Sequence, residues 1–558
     1  MSNHEWVVGL GGSNHDFSAA LMYGTDIRVA VEEERASRRK HGFAWWYENP
    51  VKRSVQYCLN AAGITPRDVS RFVSSDLLPM KARHEIQASL TLYPHHLCHA
   101  ASAFMMLPPQ TRTAILVYDG MGSIQRRDEG TGAHNVRETF SFFRAEGGRL
   151  DLLGTTSGQS VFEHDGFPSG STNSIGMLYE MVTALLGFDL YDSGKTMGLA
   201  AHGQPRFLEA LRSFVTFGTT FDACFGIDPT DPELLELIGG ALKRERHGFA
   251  VKADLAASVQ ALLEHTLLSA FALFGDEGYE AVALAGGCAL NTVANSVLAS
   301  ALPHGIRLFV PPHAGDAGLC FGALWLDRRE RSAEPFSLSF NGTALDPALS
   351  RPGRAYSSEE CGEAVRAFYP RLAHDPAGGT PAGLAHALAQ GEIVGVFSGG
   401  SEIGPRALGG RSILADPRAA MARERINRSL KGREPFRPLA PMILGEHFDR
   451  YFTDPRHADR FMLRVATATE LCRRDAPAVV HVDGTARVQV VDDTTDPFLA
   501  ALLRAFEGET GVPILLNTSF NRRGEPIVET PLDAVDAFLG IGLDALYLQG
   551  EFYRPAET

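Results

Sequence analysis

The sequence predicts an α/β protein with at least two domains. Short apolar runs of strand length alternate with longer segments whose apolar residues recur every three or four positions, as in buried strands and amphipathic helices. The 558 residues exceed what one hydrophobic core usually organises. A hydrophobic share of 44% and a charged share of 21% are those of an ordinary globular protein, so a large core can form.

The expected elements follow from these runs. Glycine and asparagine separate the first three apolar runs, which predicts consecutive β-hairpins. We expect strands at 7–10, 19–22, 29–31, 114–118, 281–284 and 392–397. We expect helices at 174–186 and 254–274.

A change in composition follows Leu326. Residues 327–334 are charged, and the stretch through Arg354 is rich in proline, glycine and serine, which is typical of a linker or a surface crossing. A second α/β pattern starts near Glu359. We therefore predict an N-terminal domain at 1–335, a linker at 336–356 and a C-terminal domain at 357–558.

Charge and cysteine usage exclude several classes. A formal net charge of −14 argues against a nucleic-acid partner, since phosphate binding needs a basic face. The seven cysteines are scattered without a CxxC pair, which argues against a zinc ribbon or a disulfide framework and favours a reducing compartment. The N-terminus lacks the pattern of a signal peptide, and no run of about 18 apolar residues occurs. We expect a soluble, cytoplasmic protein with no membrane partner.

Two histidines and two aspartates suggest a metal site. On a helix, His95 and His99 lie one turn apart on the same face, within reach of one ion. Alone, such a pair is more often a core histidine with an exposed neighbour. Asp119 and Asp316 change this balance, because each follows or adjoins an apolar run and lies in a glycine turn. Two imidazoles and two carboxylates suit Fe²⁺, Zn²⁺ or Mn²⁺.

A glycine turn follows the first expected strand, in the order Gly11-Gly12-Ser13-Asn14-His15. Its N–H groups could close on a phosphate or carbonyl oxygen, and His15 could then move protons near neutral pH. The alternative is a tight hairpin with a surface histidine, and the sequence alone favours it.

Two further glycine segments invite a nucleotide interpretation. Lys195 lies in Ser193-Gly194-Lys195-Thr196, but a Walker A motif would need glycine at the position of Asp189. We therefore expect a nucleotide or substrate loop of another class. Gly286 and Gly287 follow an expected strand and permit close backbone approach to a ligand, although a glycine pair alone is weak evidence.

Cations recur in the C-terminal half of this acidic chain. They lie in short glycine- and proline-framed segments beside apolar runs, which favours a triphosphate pocket over a solvated face. They are Arg406, Arg411, Lys431, Arg433, Arg437 and Arg487, with Asn517 and Asn521 after the apolar run 512–516.

Together these segments resemble the NodU/CmcH carbamoyltransferase family. The resemblance runs through nearly the whole chain in one order. It rests on HHLCHAASAF, DGMG, SGKTMGLAAHG, GGCALN, GDAG, GPRALGGRS, KGREPFRPLAP, HVDGTARVQ and NTSFNRRGEPIV. It implies a duplicated actin/sugar-kinase-like N-terminal domain, similar to the tRNA threonylcarbamoyl-transfer ATPase, and a YrdC-like C-terminal domain.

The resemblance also implies a two-step reaction. Carbamoyl phosphate is cleaved to carbamate, which attacks the α-phosphate of Mg²⁺-bound ATP to give carbamoyladenylate and pyrophosphate; the intermediate then moves internally to the N-terminal site. By the same resemblance, His95, His99, Asp119 and Asp316 are iron ligands and His15 is the catalytic histidine. The implied ATP and carbamoyl phosphate ligands are Arg406, Lys431, Arg437, Arg487, Asn517 and Asn521. The implied acceptor or carbamoyladenylate contacts are Ser13, Lys40, Lys195, Gly286 and Gly287.

Other functions share parts of this pattern. A tRNA-modifying enzyme has both folds, but the acidic charge and the order of the two domains argue against it. A hydrogenase-maturation carbamoyltransferase needs CxxC pairs, and a sugar kinase lacks the histidine pair. A non-catalytic module that binds ATP or metal stays open. The acceptor is expected to be a natural-product hydroxyl on a sugar, aminoglycoside, β-lactam or polyketide, as in antibiotic biosynthesis, and a homodimer is an open expectation.

Overall fold

The computed structural model describes residues 5–86, 88–126, 135–164, 167–189, 191–244, 248–332 and 336–556. Strands and helices alternate along this part of the chain. The strands are β1 Trp6–Gly11, β2 Ser18–Tyr23, β3 Asp26–Glu32, β4 Val69–Ser75, β5 Ser89–Tyr93, β6 Thr113–Tyr118, β7 Ile124–Arg126, β8 Val136–Glu146, β9 Arg149–His164, β10 Phe167–Ser171, β11 Thr216–Thr220, β12 Ala223–Gly226, β13 Ala281–Ala285, β14 Arg307–Phe309, β15 Ser339–Phe340, β16 Thr343–Ala344, β17 Leu372–His374, β18 Val394–Phe397, β19 Arg411–Ala415, β20 Ala440–Leu444, β21 Ala466–Thr467, β22 Thr485–Ala486, β23 Gln489–Val491, β24 Ile514–Ser519, β25 Ala545–Leu548 and β26 Glu551–Pro555.

The α-helices are distributed along the same part of the chain. They are α1 Glu33–Ser37, α2 Lys52–Ala62, α3 Met80–His84, α4 His95–Phe104, α5 Ile175–Leu185, α6 Ser193–Ala200, α7 Leu208–Arg212, α8 Pro232–Arg244, α9 Phe249–Ala272, α10 Thr292–Ala301, α11 Leu319–Arg331, α12 Leu345–Ala348, α13 Ser358–Arg366, α14 Pro381–Ala389, α15 Met421–Glu424, α16 Phe448–Tyr451, α17 Glu470–Asp475, α18 Pro497–Thr510 and α19 Pro531–Ile541. The α/β class predicted from the sequence is confirmed.

The individual predictions are confirmed as well, with shifts at the ends. Each expected strand coincides with β1, β2, β3, β6, β13 or β18, and β2 and β3 form the expected antiparallel hairpin. The helix expected at 174–186 is α5, whose side-chain cap is Ser174. The helix expected at 254–274 is α9, which begins five residues earlier because its apolar pattern continues to Phe249.

The chain forms two compact units, each built from two separate stretches. Unit 1 contains Met1–His15 and Val69–Leu338, and unit 2 contains Asp16–Asp68 and Ser339–Thr558. This grouping assigns residues 16–68 to the C-terminal unit. It differs from the contiguous division predicted from the sequence, which stays a prediction.

Unit 1 contains two groups of paired strands. In the first, β1, β4 and β5 are parallel neighbours. The second is a sheet in the order β10-β9-β8-β6-β13-β14, where β6, β8 and β9 are antiparallel and β6, β13 and β14 are parallel. The carboxyl ends of β6 and β13 therefore point to the same edge, where Asp119 and the turn Gly286-Gly287 follow.

Unit 2 is organised by an eight-stranded mixed sheet in the order β17-β26-β25-β18-β19-β24-β20-β23. Successive residues of a strand face opposite sides, so Ile514 and Leu516 of β24 pack into one core and Leu515 into another. Helices α13 and α19 belong to the first core, and α14 and α18 belong to the second. Strands β2, β3, β15 and β16 also belong to this unit.

The charged stretch that begins at Asp327 starts within α11, which ends at Arg331. Asp327 is fully buried, and its carboxylate accepts hydrogen bonds from the Arg71 and Arg331 guanidinium groups. The charge reflects a buried ion pair within unit 1, which composition alone does not distinguish from a solvated segment. The linker expected at 336–356 contains β15, β16 and α12.

Among the described residues, α9 has the length and apolar composition that could cross a membrane. About half of its most apolar window is buried, 56%, and it packs on α5, α6, α7 and α10. Buried core helices have the same composition, so this helix is accounted for by its packing within unit 1.

Candidate metal centre and anion site

Helix α4 brings two imidazoles together. It begins at His95, directly after Pro94, and its next turn carries His99. The two ring centroids are 4.8 Å apart, and both side chains are almost fully buried. The predicted one-turn spacing is confirmed.

Two carboxylates face these rings from other elements of unit 1. Asp119 follows β6, and Asp316 precedes α11. The Nε2 atom of His95 lies 3.4 Å from Asp119 Oδ2 and 3.5 Å from Asp316 Oδ1. The Nε2 atom of His99 lies 3.5 Å from Asp119 Oδ2 and 3.4 Å from Asp316 Oδ1. The structure thus brings all four predicted ligands to one point.

Each carboxylate is held through its second oxygen. Asp119 Oδ1 accepts the backbone N–H of Gly120 at 2.8 Å and that of Gly287 at 3.1 Å. Asp316 Oδ2 accepts the hydroxyl of Ser13 at 2.5 Å. The glycine turns predicted to touch a ligand therefore orient the aspartates, which leaves one oxygen of each directed at the imidazoles.

The cluster strongly favours positive charge at its centre. Burial lowers the pKa of His95, but Asp316 and Asp119 outweigh burial and raise it to about 10. The pKa of His99 is raised by the same carboxylates against the effect of burial. Burial raises the pKa of Asp119 and of Asp316, yet the histidines lower both overall.

The donor set fits a divalent metal ion. The four donor atoms lie within 4.8 Å of one another. The nitrogen–oxygen separations of 3.4–3.5 Å exceed those of strong charge-assisted hydrogen bonds, roughly 2.7–2.9 Å. They match the separation of two atoms that each lie about 2.1 Å from one tetrahedral ion. Imidazole nitrogen with carboxylate oxygen is a donor set for Fe²⁺, Zn²⁺ or Mn²⁺.

A second layer of polar groups fixes the start of α4. The backbone N–H of His95 donates to Ser123 Oγ at 2.7 Å, and this hydroxyl donates to Asp76 Oδ1 at 2.8 Å. Glu138 Oε2 accepts the N–H groups of Ser123 at 3.0 Å and His96 at 3.3 Å. No sequence motif indicated Asp76, Ser123 or Glu138, because their connection to α4 depends on long-range contacts.

His15 lies against the ring of Tyr191, with centroids 4.0 Å apart, and its charge lowers the pKa of Asp316 after the larger effects of burial and of the ligand histidines. This puts His15 beside the cluster rather than at a remote hairpin. Tyr191 has a left-handed backbone, with φ of 65°, and its N–H donates to Glu180, which also accepts the hydroxyl of Ser193. Tyr191 is a neighbour of His15 that no motif indicated.

The other predicted contacts of unit 1 have clear structural partners. Lys195 Nζ forms an ion pair with Asp192 Oδ2 at 2.6 Å. Gly286 has φ of 92°, and a Cβ atom there would lie 2.4 Å from the carbonyl oxygen of Tyr118. Glycine is thus required at position 286 by the close approach of two strands.

Unit 2 contains a cluster of cations that lower one another's pKa. Burial lowers the pKa of Arg406 to about 10, with a further contribution from Arg437, and lowers that of Arg433 to about 9 with the same neighbour. Burial and the charges of Arg406, Arg437 and Arg433 lower the pKa of Arg487 strongly. Because each of these shifts includes repulsion from a neighbouring cation, the four guanidinium groups lie close enough to interact electrostatically; the anion pocket stays a prediction.

Lys431 belongs to the same cluster. Burial lowers its pKa strongly, and Arg433, Arg437 and Lys40 lower it further. Its ammonium group donates to Ser519 O at 2.6 Å and to Asn521 Oδ1 at 3.0 Å. Lys40, which the resemblance assigned to acceptor or intermediate binding, therefore acts electrostatically on the cation cluster of its own unit.

Asn517 contacts the loop that carries Arg406. It is buried, and its amide nitrogen donates to Ala407 O at 3.1 Å and Gln489 Oε1 at 2.7 Å. Gln489 in turn donates to Leu408 O at 2.9 Å. These bonds hold the loop that carries Arg406.

Two protein-family models match this chain. The family model "Carbamoyltransferase N-terminus" matches residues 74–324, and "Carbamoyltransferase C-terminus" matches residues 385–554. The chain belongs to the carbamoyltransferase family. It is a transferase enzyme, and the family resemblance inferred from the motifs is confirmed.

Two relatives illustrate the range of this carbamoyltransferase family. The nodulation protein NolNO of Sinorhizobium fredii is 33% identical over 95% of this chain and 78% of its own length. The 3'-hydroxymethylcephem-O-carbamoyltransferase of Amycolatopsis lactamdurans is 32% identical over 64% of this chain and 66% of its own length. Among solved structures, component A of the (R)-2-hydroxyglutaryl-CoA dehydratase of Acidaminococcus fermentans covers 58% of this chain and 98% of its own at 12% identity, but the TM-score is only 0.35.

Proposed function

We propose that this carbamoyltransferase forms carbamoyladenylate from ATP and carbamoyl phosphate and transfers the carbamoyl group to a hydroxyl of a small-molecule acceptor. The observation that carries the proposal is the presence in one carbamoyltransferase chain of two complementary sites. Unit 2 has a cluster of five cations in which neighbouring positive charges lower the pKa values of Arg406, Lys431, Arg433 and Arg487. Unit 1 has a buried carboxylate and imidazole cluster beside His15.

The cation cluster suits the first step. Water cleaves carbamoyl phosphate to carbamate and phosphate; a carbamate oxygen then attacks the α-phosphorus of ATP, and the bond to the β-phosphate oxygen breaks to release pyrophosphate. Both substrates carry several phosphate charges, and ATP would enter with Mg²⁺. Arg406, Arg433, Arg437 and Arg487 offer planar donors for phosphate oxygens, and Lys431 offers a point charge.

The histidine and aspartate cluster suits the second step. In this proposal His15 accepts the proton of the acceptor hydroxyl as its oxygen bonds to the carbonyl carbon of carbamoyladenylate, and the bond to the AMP oxygen breaks. His95, His99, Asp119 and Asp316 would hold a divalent ion. Such an ion, when bound, supplies Lewis-acid polarisation of a carbonyl oxygen. Ser13 and Gly287 keep the two aspartates oriented.

The acceptor is proposed to be a natural-product alcohol. One relative is named for a hydroxymethyl group on a cephem, and another for nodulation. A primary or sugar hydroxyl is therefore the first class to test. We also propose a cytoplasmic location and no nucleic-acid partner, since the net charge is −14 and ATP and carbamoyl phosphate are cytoplasmic substrates.

Incubation with ATP, carbamoyl phosphate and a panel of hydroxylated acceptors tests the proposal. We expect pyrophosphate release and an acceptor product heavier by one carbamoyl group in mass spectrometry. Lys431→Ala should abolish both, because it removes a buried cation of the proposed ATP site. A protein that binds ATP but releases no pyrophosphate with any acceptor would be a binding module, and the proposal would fail.

A further inference from the structure

An arginine from the N-terminal stretch of unit 2 is buried against the loop that carries Arg406. Arg35 lies in α1, and its side chain is 1% exposed. Its Nε donates to Glu32 Oε2 at 2.6 Å, and its Nη2 donates to the carbonyl oxygen of Gly404 at 2.8 Å. Its Nη1 lies 3.9 Å from Glu402 Oε2. One guanidinium thus joins residues separated by more than 360 positions in the chain.

Glu402 holds the other side of the same loop. Its Oε1 accepts three backbone N–H groups, those of Leu408 at 2.8 Å, Gly410 at 2.7 Å and Arg411 at 3.1 Å. The side chain is fully buried. Burial raises the pKa of Glu402, but Arg351, Arg35 and Arg411 outweigh it and lower the pKa overall. The carboxylate therefore stays ionised and accepts these bonds in its stronger, charged form.

Together these bonds anchor the loop on both sides of Arg406. The carbonyl of Gly404 is fixed two residues before it, and the N–H of Leu408 is fixed two residues after it. We propose that Arg35 and Glu402 are positioning residues that fix the 404–410 loop and thereby set the affinity of the cation cluster for ATP. The inference rests on the proposed function of that cluster, and it assigns part of the ATP affinity to the N-terminal stretch.

A role in stability alone does not explain the arrangement. A buried ion pair is often no more stabilising than an apolar replacement of similar size, so burial of Arg35 and Glu402 is weak evidence for a purely structural role. A carboxylate that receives three N–H groups from one short loop instead restricts the loop to one conformation. Binding to a loop that is already ordered avoids the entropic cost of ordering it.

The test compares Glu402 with a matched acid. Glu529 is also a buried carboxylate of unit 2 that contacts the N-terminal stretch: its Oε1 accepts the hydroxyl of Tyr57 at 2.6 Å and that of Tyr356 at 3.4 Å. Titration calorimetry with ATP should give a Kd roughly 10- to 100-fold weaker for Glu402→Ala, the usual effect of losing a supporting contact. Glu529→Ala should leave the Kd within about twofold, even if both variants lose thermal stability.

Conservative variants separate positioning from folding. Glu402→Gln keeps a carbonyl acceptor and should recover most of the affinity lost in Glu402→Ala. Arg35→Lys keeps the charge but cannot reach Glu32 and Gly404 together, so it should weaken ATP binding several-fold. Each variant is first checked for a cooperative unfolding transition, and the two conservative changes decide the question if Glu402→Ala does not fold.

The outcomes distinguish this inference from the proposed function. If the wild-type protein does not bind ATP, or if Arg406→Met binds it as well as wild type, the assignment of the ATP site fails and the inference fails with it. If binding depends on Arg406 but Glu402→Ala and Glu402→Gln keep the wild-type Kd, the positioning role alone is refuted. Equal weakening by Glu402→Ala and Glu529→Ala would also refute it, because it would indicate a general loss of packing.

Discussion

Arg406→Met should make the ligand-free protein more stable while removing its response to ATP. The pKa of Arg406 falls from its ordinary value to about 10, through burial and the nearby charge of Arg437. That fall corresponds to roughly 3 kcal/mol against the charged form in the folded state. At pH 7 the guanidinium is charged in both the folded and the unfolded state, so this cost is fully present. The Arg406 side chain is partly exposed, so solvent screening reduces the expected gain to about 1–2 kcal/mol.

The assay is thermal and urea unfolding with and without ATP. In the wild type, ATP at a hundred times its Kd should stabilise the folded state by about 2.7 kcal/mol. In Arg406→Met this stabilisation should vanish, and the ligand-free midpoint should rise. Arg504→Met is the control, because Arg504 is an exposed partner of Asp493 and its loss should leave the unfolding midpoint nearly unchanged, with and without ATP. An Arg406→Met protein that is less stable than wild type and still responds to ATP would refute the reasoning.

Three further predictions concern the metal cluster, the proposed base and a buried acid. His99→Ala or Asp316→Ala should lower the bound divalent metal measured by mass spectrometry yet keep pyrophosphate release; wild-type protein free of divalent metal, with transfer insensitive to chelation, would contradict this. His15→Ala should keep metal and pyrophosphate release but slow acceptor carbamoylation by about 10²–10⁴-fold; unchanged transfer would remove His15 from the mechanism. Burial raises the pKa of Glu33 from 4.5 to about 7, although the N–H of Ser54 lowers it, so the stability this group contributes is lost as pH rises through 7. Glu33→Gln should therefore raise the unfolding free energy by roughly 3 kcal/mol at pH 8 and by less than about 1 kcal/mol at pH 5, measured in urea, and equal stabilities at pH 8 would contradict this.

The cluster of His95, His99, Asp119 and Asp316 could be predicted from the sequence because short motifs carry most of the signal. One helical turn separates His95 from His99, and Asp119 comes directly after the strand β6. Periodicity and strand ends decide where such side chains point, so four residues from three segments could be placed at one site. Asp316 lies in a glycine turn beside an apolar run, and the family resemblance assigned it to the same site as the other three residues. The donor distances, and hence the fit to an ion, required the structure.

The supporting residues could not be predicted in this way. Nothing in the sequence distinguishes Glu402 from a surface glutamate, because its burial and its three bonds to the following loop arise only in the fold. Arg35 contacts a carbonyl 369 positions away. Glu138 and Asp76 likewise hold α4 through long-range contacts. The grouping of residues 16–68 with the C-terminal unit likewise depends on long-range contacts. Sequence motifs indicate which residues can act as ligands or proton carriers. The residues that hold those side chains in position are recognised only from their burial and their hydrogen-bond partners in the fold.

The carboxylates of unit 1 and the cations of unit 2 each carry the charge opposite to that of the proposed ligand. In unit 1 the aspartates raise the pKa of His95 to about 10, so a divalent ion that binds there would displace a proton from the imidazole. In unit 2 the guanidinium groups depress one another's pKa, so the cluster attracts an anion. Part of the free energy of anion binding in unit 2 is therefore expected to come from relief of this repulsion. Since the chain as a whole carries a net charge of −14, a group of five neighbouring cations is not explained by composition; the fold concentrates positive charge where a polyphosphate is proposed to bind.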